Sequence, residues 1–290
     1  MKPARFDYAR PETLADAVTL LAGAAGDAKV IAGGQSLMPM LAFRLAAPKL
    51  LVDIGRLHDL KKIEITPAGV ELGALVRWRD IERDEALARA HPLLVEAVRH
   101  VAHYQIRNRG TVGGSLAHAD PAAELPGVAL ACDVTIDVVG SRGARTIAAA
   151  DFFTGPLTTS LNSDEVIVGM RLPPWAPQRR WAFKEFARRK GDFALAGVAL
   201  FYDTDAQGRA VAPHIGAIGV SSTPVRLKAS EAALAGSVVD AKTIAHAASL
   251  AAEGIEMNED IHAPADYRRA LLQTLLERAL RHAAGLKEHA

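Results

Sequence analysis

The sequence predicts an α+β protein in two parts: a two-part α/β region, then a smaller α+β region with one sheet and a helical layer. Three observations predict this. Short strand-like runs alternate with helical ones through the first half of the chain. A stiff Pro173-Pro-Trp-Ala-Pro177 segment then interrupts it, each proline fixing its own φ and pushing its predecessor toward extended backbone. Beyond that segment strands come first and a helix last, the order of an α+β domain.

The elements follow in order. Pro11–Gly23 reads as a short helix with Leu14, Val18 and Leu21 on one face and Gly23 suited to its stop. Lys29–Ala32 reads as a strand, followed by strand-like runs at Leu50–Ile54 and Gly69–Val76. His91–Ala102 is a helix with Pro92 in its first turn and Leu94, Val98 and Val101 along one side. Pro126–Cys132 reads as helix, and Val134–Val139 and Asp164–Leu172 as strands. After the proline segment come β-like runs at Trp181–Phe186, Gly197–Tyr202 and Ile215–Val220. The tail is helical, with Tyr267, Leu271, Leu275 and Leu276 at helical spacing.

Length and composition narrow the function. A chain of 290 residues can hold two domains and bury a sizeable core. The net charge of +1 gives no support to nucleic-acid binding, which needs a concentrated basic field. The basic runs Gln178–Arg180 and Arg188–Lys190 read as solvated faces. The one cysteine, Cys132, forms no internal disulfide and cannot build an iron–sulfur cluster, which takes about four cysteine ligands. Its apolar neighbours make it a buried, inert thiol. Met1–Tyr8 holds no apolar signal core, and no apolar run reaches the ~18 residues of a membrane helix. A cytoplasmic protein without a transmembrane segment is expected.

The informative residues are two glycine-rich stretches about 80 positions apart, each a Gly-Gly followed by a small polar residue and Leu. In the first, Gly33, Gly34, Gln35 and Ser36 follow a predicted strand. In the second, Thr111, Gly113, Gly114 and Ser115 combine glycines with hydroxyls. Glycine reaches φ > 0 and lets backbone N–H groups close on a ligand, and successive N–H groups form a nest for an anion. Two such loops suggest two cradles around one extended phosphate; plain tight turns are the alternative. Neither stretch is a Rossmann fingerprint or a P-loop. Asp120 and Glu124 are acceptors only when ionised. Beside phosphate they would repel it, so they suit ribose hydroxyls or the adenine end, or serve as helix N-terminal charges. His118 has no Ser-His-Asp or metal spacing around it. His100 and His103, three apart, lack a third ligand, so no metal site and no catalytic residue are assigned.

The runs Ala32-Gly-Gly-Gln-Ser-Leu-Met-Pro-Met-Leu41 and Gln105-Ile-Arg-Asn-Arg-Gly-Thr-Val-Gly-Gly-Ser-Leu-Ala-His-Ala-Asp-Pro-Ala-Ala-Glu-Leu-Pro126 carry a family resemblance. With Phe183–Phe186, Arg189–Ala199 and Thr223–Lys228, the chain resembles the FAD-binding medium subunit of the molybdenum hydroxylases, the carbon monoxide dehydrogenase and xanthine dehydrogenase group. The resemblance implies a PCMH-type FAD-binding domain over residues 1–176, with subdomains of about 1–56 and 57–176, and a flavoprotein C-terminal-like domain over 177–286. It implies one non-covalent FAD, held by Ile31, Ala32, Gly33, Gly34, Gln35, Ser36 and Leu37, and by Val101, Thr111, Gly113, Gly114, Ser115, His118, Asp120 and Glu124. It adds Ile167 as an apolar contact, Lys184 as a cation near the flavin, and Asp192 and Phe193 where relatives often place Tyr. Phe193 stacks but donates no hydrogen bond.

The resemblance further implies an oxidoreductase subunit that relays electrons from the [2Fe–2S] clusters of a small partner subunit through FAD to an external acceptor. A large molybdopterin subunit would oxidise the substrate, and the assembly would be a dimer of heterotrimers. A stand-alone FAD oxidoreductase acting directly on a small substrate, or a nucleotide-sensing module without turnover, are the competing readings.

Overall fold

The computed structural model describes residues 2–287. A small first unit comprises β1 (Asp7–Ala9), α1 (Leu14–Gly23), β2 (Ala28–Ile31), α2 (Leu37–Ala42) and β3 (Leu50–Asp53). Its three strands are parallel, in the order β1-β3-β2. Thr13 caps α1, its hydroxyl accepting from Asp16 N–H at 3.1 Å, which satisfies one of the orphan donors of the first turn. Ala17, Val18 and Leu21 of α1 are buried against Val52 and Ile54, and Leu75 and Val166 of the next unit complete this core.

The second unit contains β4 (Ile63–Thr66), β5 (Gly69–Gly73), α3 (Trp78–Arg83), α4 (Glu85–Ala90), α5 (Pro92–His100), α6 (Tyr104–Arg107), α7 (Val112–His118), α8 (Glu124–Ala131), β6 (Thr135–Gly140), β7 (Gly143–Ala148), α9 (Ala149–Phe152), the hairpin β8 (Phe153–Gly155) and β9 (Thr158–Thr159), and β10 (Val166–Leu172). Its main sheet is antiparallel, ordered β4-β5-β10-β6-β7. The strand expected over Gly69–Val76 stops at Gly73. Ala74–Val76 leave the ladder to tie other elements: Ala74 N–H donates to Val168 O at 3.0 Å, while the carbonyls of Ala74 and Val76 accept from Gly113 and Val112 at 2.8 and 2.9 Å.

The second glycine stretch is a helix rather than a loop. Thr111 caps α7, its hydroxyl accepting from Gly114 N–H at 3.2 Å. Two glycines are poor helix formers, and packing overrides that preference. A Cβ on Gly113 would lie 2.6 Å from Ala74 Cβ, so only glycine lets the helix start sit against the tether.

The third unit is an antiparallel sheet, β11 (Arg180–Phe186), β12 (Ala196–Thr204), β13 (Ala210–Ile218) and β14 (Val225–Arg226), with α10 (Lys228–Leu234), α11 (Ala241–Ser249) and α12 (Ala265–Ala284). Side chains alternate along β11. Ala182 joins the core beneath the helices, while Phe183 is buried in the second unit's core with Trp181 packed against it. The stripe of α12 is rotated from the expected one. Tyr267 is 45% exposed, and the buried positions are Arg268, Leu272, Leu275, Leu276, Ala279 and Leu280. Arg268 can take an inward place because its guanidinium is engaged. It donates to the carbonyls of Leu195 and Gly219, both at 2.7 Å, and to Asp260 at 2.8 Å.

Two features join the second and third units. All eight residues of α8 are buried, and the helix packs closely on β13. A Cβ on Gly127 would lie 2.4 Å from Ile218 Cγ2, and one on Gly216 would lie 2.5 Å from Gly127 O. At the C-terminal end of α8, Nδ1 of His214 is 2.9 Å from Ala131 O. Arg226 reaches Leu130 O at 3.4 Å and Asp133 at 3.0 Å, placing one cation where the helix dipole favours it. The proline segment supplies the second join. Trp175 packs tilted on His91 with ring centroids 4.4 Å apart and edge-on against Phe201 at 5.4 Å. Arg179 lies over Trp175 and Phe201 and pairs with Asp203 at 2.8 Å, so it is a packed cation rather than the solvated one expected from its basic run.

His91 also caps α5, its Nδ1 accepting from Leu94 N–H at 3.3 Å. Burial pushes its pKa down to about 3, while the unfolded chain titrates near the ordinary histidine value of about 6.5. The folded state therefore binds fewer protons between these values. Its stability is fully present above about pH 6.5 and declines as pH falls toward 3. Asn at this position can cap and does not titrate. Denaturant unfolding across that window should show the wild type losing stability more steeply with acid than His91→Asn; parallel curves would remove His91 as the acid-sensitive group.

Candidate functional site

The residues singled out by sequence fall on the first two units and on one strand and one loop of the third. Ile31 ends β2, Ala32–Ser36 form the turn after it, and Leu37 opens α2. All seven are half-buried. Gly34 has φ +71, the left-handed region that glycine enters without strain. Among the described residues, the four successive amides of Gly34, Gln35, Ser36 and Leu37 donate to no protein acceptor; the Gln35 side chain instead donates to Gly33 O at 3.1 Å. Consecutive unengaged amides around a φ > 0 residue make an anion nest. Gly33 presses on the approach to the second stretch, since a Cβ there would stand 2.2 Å from Arg109 O. The structure thus brings the two glycine stretches together.

The second stretch is arranged differently. The amides of Val112, Gly113, Gly114 and Ser115 are already held, by Val76 O, Ala74 O, Thr111 Oγ1 and Thr111 O respectively. What remains to offer a ligand is the open surface of exposed Gly114 together with the half-buried Ser115. Thr111 itself is buried. His118 ends α7 and is half-buried. Asp120 follows in the turn, where its carboxylate accepts from Ala122 N–H at 2.9 Å.

Glu124 opens α8 and is buried. Burial, followed by the nearby charge of Glu185, pushes its pKa up to about 8. At neutral pH this carboxyl is largely protonated, a donor where an ionised acid could only accept.

Val101 terminates α5 and is buried. Ile167 is buried in the core face of β10, within the same cluster as Val112 and Leu116. Asp192 and Phe193 lie on the β11–β12 loop, Phe193 being 60% exposed. Gly191 of that loop packs on His103, which follows α5. Lys184 is half-buried and alternates with Ala182 on the face toward the helices, whereas Glu185 follows Trp181 and Phe183 toward the second unit. Glu185 was not anticipated. Its signal was the alternation itself: an acid standing at the third inward position of a strand whose first two are aromatic. Arg109, exposed beside the first glycine turn, was likewise passed over within its motif.

The arrangement can hold an elongated phosphate ligand, with the pyrophosphate at the first turn and a planar or hydroxylated end toward α7, Asp120 and Glu124. Among the described residues no group of three His, Cys, Asp or Glu side chains is placed to hold a metal ion. Cys132 is buried, and burial pushes its thiol up to about 12, which leaves it neither nucleophile nor ligand.

Comparison with known proteins covers the whole of this architecture. The family model for the FAD binding domain in molybdopterin dehydrogenase matches residues 4–175, and that for the CO dehydrogenase flavoprotein C-terminal domain matches residues 181–283. The chain is 40% identical over 280 residues to the 6-hydroxypseudooxynicotine dehydrogenase complex subunit alpha of Paenarthrobacter nicotinovorans, covering 97% of this chain and 95% of that one. It is 35% identical to the carbon monoxide dehydrogenase medium chain of Hydrogenophaga pseudoflava, with 97% of each chain covered. A solved carbon monoxide dehydrogenase from the same organism superposes with a TM-score of 0.95 at 36% identity, over 98% of this chain and 99% of that one. Quinoline 2-oxidoreductase from Pseudomonas putida 86 superposes with a TM-score of 0.93 at 39% identity, over the same shares.

Two outcomes are expected at this site. Gly34→Val, which strains the φ > 0 turn and crowds the open amides, should weaken FAD binding by about tenfold or more, roughly 1.4 kcal/mol. Gly114→Val, at a position whose amide is already held, should weaken it less; equilibrium titration of flavin fluorescence ranks the two, and the reverse ranking would move the phosphate to α7. For Glu124, the folded-state pKa lies above the ordinary value near 4.3, so the folded state binds the extra proton and its stability falls as pH rises between that value and about 8. Unfolding of the flavin-free protein should show the wild type losing stability relative to Glu124→Gln across that window and the difference levelling above about 8. A constant difference would mean that Glu124 is ionised throughout.

Proposed function

The chain belongs to the FAD-binding medium subunits of the molybdenum hydroxylases, and we propose that it holds one non-covalent FAD between the Gly33–Leu37 turn and the α7–α8 corner and passes electrons through it. The observation that carries this reading is the nest of unengaged amides at Gly34–Leu37, abutting the α7 approach through Gly33 and Arg109. A dinucleotide fits such a groove with its pyrophosphate on the nest. When bound, FAD supplies the redox chemistry, accepting and releasing electrons one or two at a time. The protein supplies the cradle, the half-buried setting and the protonation state of Glu124.

Two partner subunits complete the proposal. Electrons arrive from [2Fe–2S] clusters on a small subunit, because this chain has a single buried cysteine. The substrate is oxidised at a molybdopterin centre on a large subunit, the assembly being a dimer of heterotrimers. Comparable likeness to proteins named for 6-hydroxypseudooxynicotine and for carbon monoxide supports this division, since a flavin subunit that chose the substrate would differ most between such unlike molecules. No helix among the described residues is long and apolar enough to cross a membrane. A cytoplasmic setting accords with the unpaired thiol.

The purified chain should be yellow, release its flavin on denaturation, and gain about 2.7 kcal/mol of stability at roughly 100 times the FAD dissociation constant. Its flavin should bleach when mixed anaerobically with the reduced iron–sulfur partner and stay oxidised with candidate substrates alone. Absence of flavin and of any stabilisation would defeat FAD binding. Substrate-driven bleaching of the isolated chain would instead make it a stand-alone oxidoreductase.

A further inference from the structure

The two glycine stretches meet with almost no charge between them. Among residues 31–37 and 109–115, the single charged side chain is that of Arg109. Its carbonyl oxygen stands 2.2 Å from where a Cβ on Gly33 would be, so this residue touches the first turn through its own backbone. Gly34, the first of the four open amides, is the next residue of that turn, about 3.8 Å farther between Cα atoms. The three methylenes of an arginine stem carry its guanidinium well away from the backbone, which puts those amides within its reach.

The backbone at this point is fixed, and the side chain is not. Ile106 O accepts from the amides of Arg109 and Gly110 at 3.0 and 2.7 Å, and Gly110 O accepts from Trp78 N–H at 3.2 Å. A Cβ on Gly110 would lie 2.7 Å from Trp78 Nε1, which holds the chain to this route. Two residues earlier, Arg107 is spent on the fold: it pairs with Glu82 at 3.1 Å and donates to Val101 O at 3.0 Å. Arg109 is exposed, and its guanidinium has no hydrogen bond or ion pair among the described residues. One arginine of the motif builds the corner, and the other stands unspent beside the nest.

A pyrophosphate brings two negative charges into this half-buried turn. The open amides supply donors and partial charges. Taking ionised oxygens out of water without a full counter-charge is costly. Asp120 and Glu124 are acids and supply none, and Lys184 alternates with Ala182 toward the helices of the third unit. Arginine suits the task, because its planar fork of donors matches two phosphate oxygens at once.

We propose that Arg109 is the counter-charge of the cofactor's pyrophosphate, its guanidinium closing over the open amides of the Gly34–Leu37 turn and pairing with phosphate oxygens there. The proposal rests on the flavin reading above and adds a ligand from outside the two glycine stretches. The ligand chemistry it recognises is a nucleoside diphosphate, so ADP, which carries the pyrophosphate and adenosine without the flavin ring, occupies the same end of the groove.

The test titrates the flavin-free full chain with FAD, followed by flavin fluorescence, and with ADP as a competitor. Arg109→Gln should weaken FAD and ADP alike by about tenfold or more. It should also flatten the dependence of FAD affinity on salt between about 50 and 500 mM. Arg109→Lys keeps the charge without the fork and should fall between the two, with the salt dependence retained. Arg278→Gln, at an exposed position of α12, removes the same charge elsewhere and should leave both affinities unchanged. Wild-type affinity and salt dependence in Arg109→Gln would overturn the assignment, as would an equal loss in Arg278→Gln or a loss confined to FAD. Should Arg109→Gln not fold, a wild-type FAD affinity independent of salt would overturn it. A wild-type chain that binds no FAD would defeat the flavin reading itself, a separate outcome.

Discussion

The constraint on which the site depends is the meeting of α8 with β13. Gly216 leaves room for the backbone of Gly127, and Gly127 leaves room for the Ile218 side chain, so the helix lies close against the sheet. Everything near the groove takes its position from that contact. The head of α8 carries Glu124, its tail is held by His214 and Arg226, and the α7–α8 turn bonds back to the sheet through Gly219 N–H and Pro121 O at 2.8 Å. The helix is a rigid strut of about 12 Å at 1.5 Å per residue. One end faces the candidate cofactor and the other is held by His214 and Arg226 of the third unit. The proline segment adds a second, aromatic clamp through His91, Trp175, Arg179 and Phe201, so the two units share one continuous core.

Much of this was legible in the chain. Hydrophobic periodicity found the long elements, because α5, β10, β12 and α12 each bury enough apolar surface to leave a pattern. The four- to six-residue helices α3, α4, α6 and α9 left none, since so few turns cannot establish a period. The one-residue rotation of α12 was hidden for another reason. Reading Tyr267 as inward and Arg268 as outward follows hydropathy, and only the two carbonyls that meet the guanidinium reverse the order. The same holds for Arg179, whose partners Trp175, Phe201 and Asp203 lie on both sides of it in sequence and converge only in the fold.

The site was legible in its composition and not in its division of labour. Two similar Gly-Gly stretches suggested two equal phosphate cradles. In the structure the first is an open nest, while the second is a helix start whose amides are spent on Ala74, Val76 and Thr111. No local signal separates them, because the difference is made by Ala74–Val76, nearly 40 residues earlier in the chain. Glu124 shows the reverse case. Its presence was plain, but its protonation depends on burial and on Glu185, a residue 61 positions away.

The glycines also bear on how this surface can drift over generations. Gly33, Gly113, Gly127 and Gly216 each have an atom less than 3 Å from where a Cβ would stand. Any replacement at these positions collides before chemistry is affected, so selection would hold all four fixed in a lineage that had abandoned the cofactor but kept the fold. Gly114 would meet the Thr111 hydroxyl at 2.8 Å, and Gly34 sits at φ +71, where any side chain is strained. Those two are therefore held by the backbone as well, with or without a ligand. An ancestry of this fold would keep all six glycines for the sake of the chain's path, and loss of the cofactor would have to be read elsewhere on the surface.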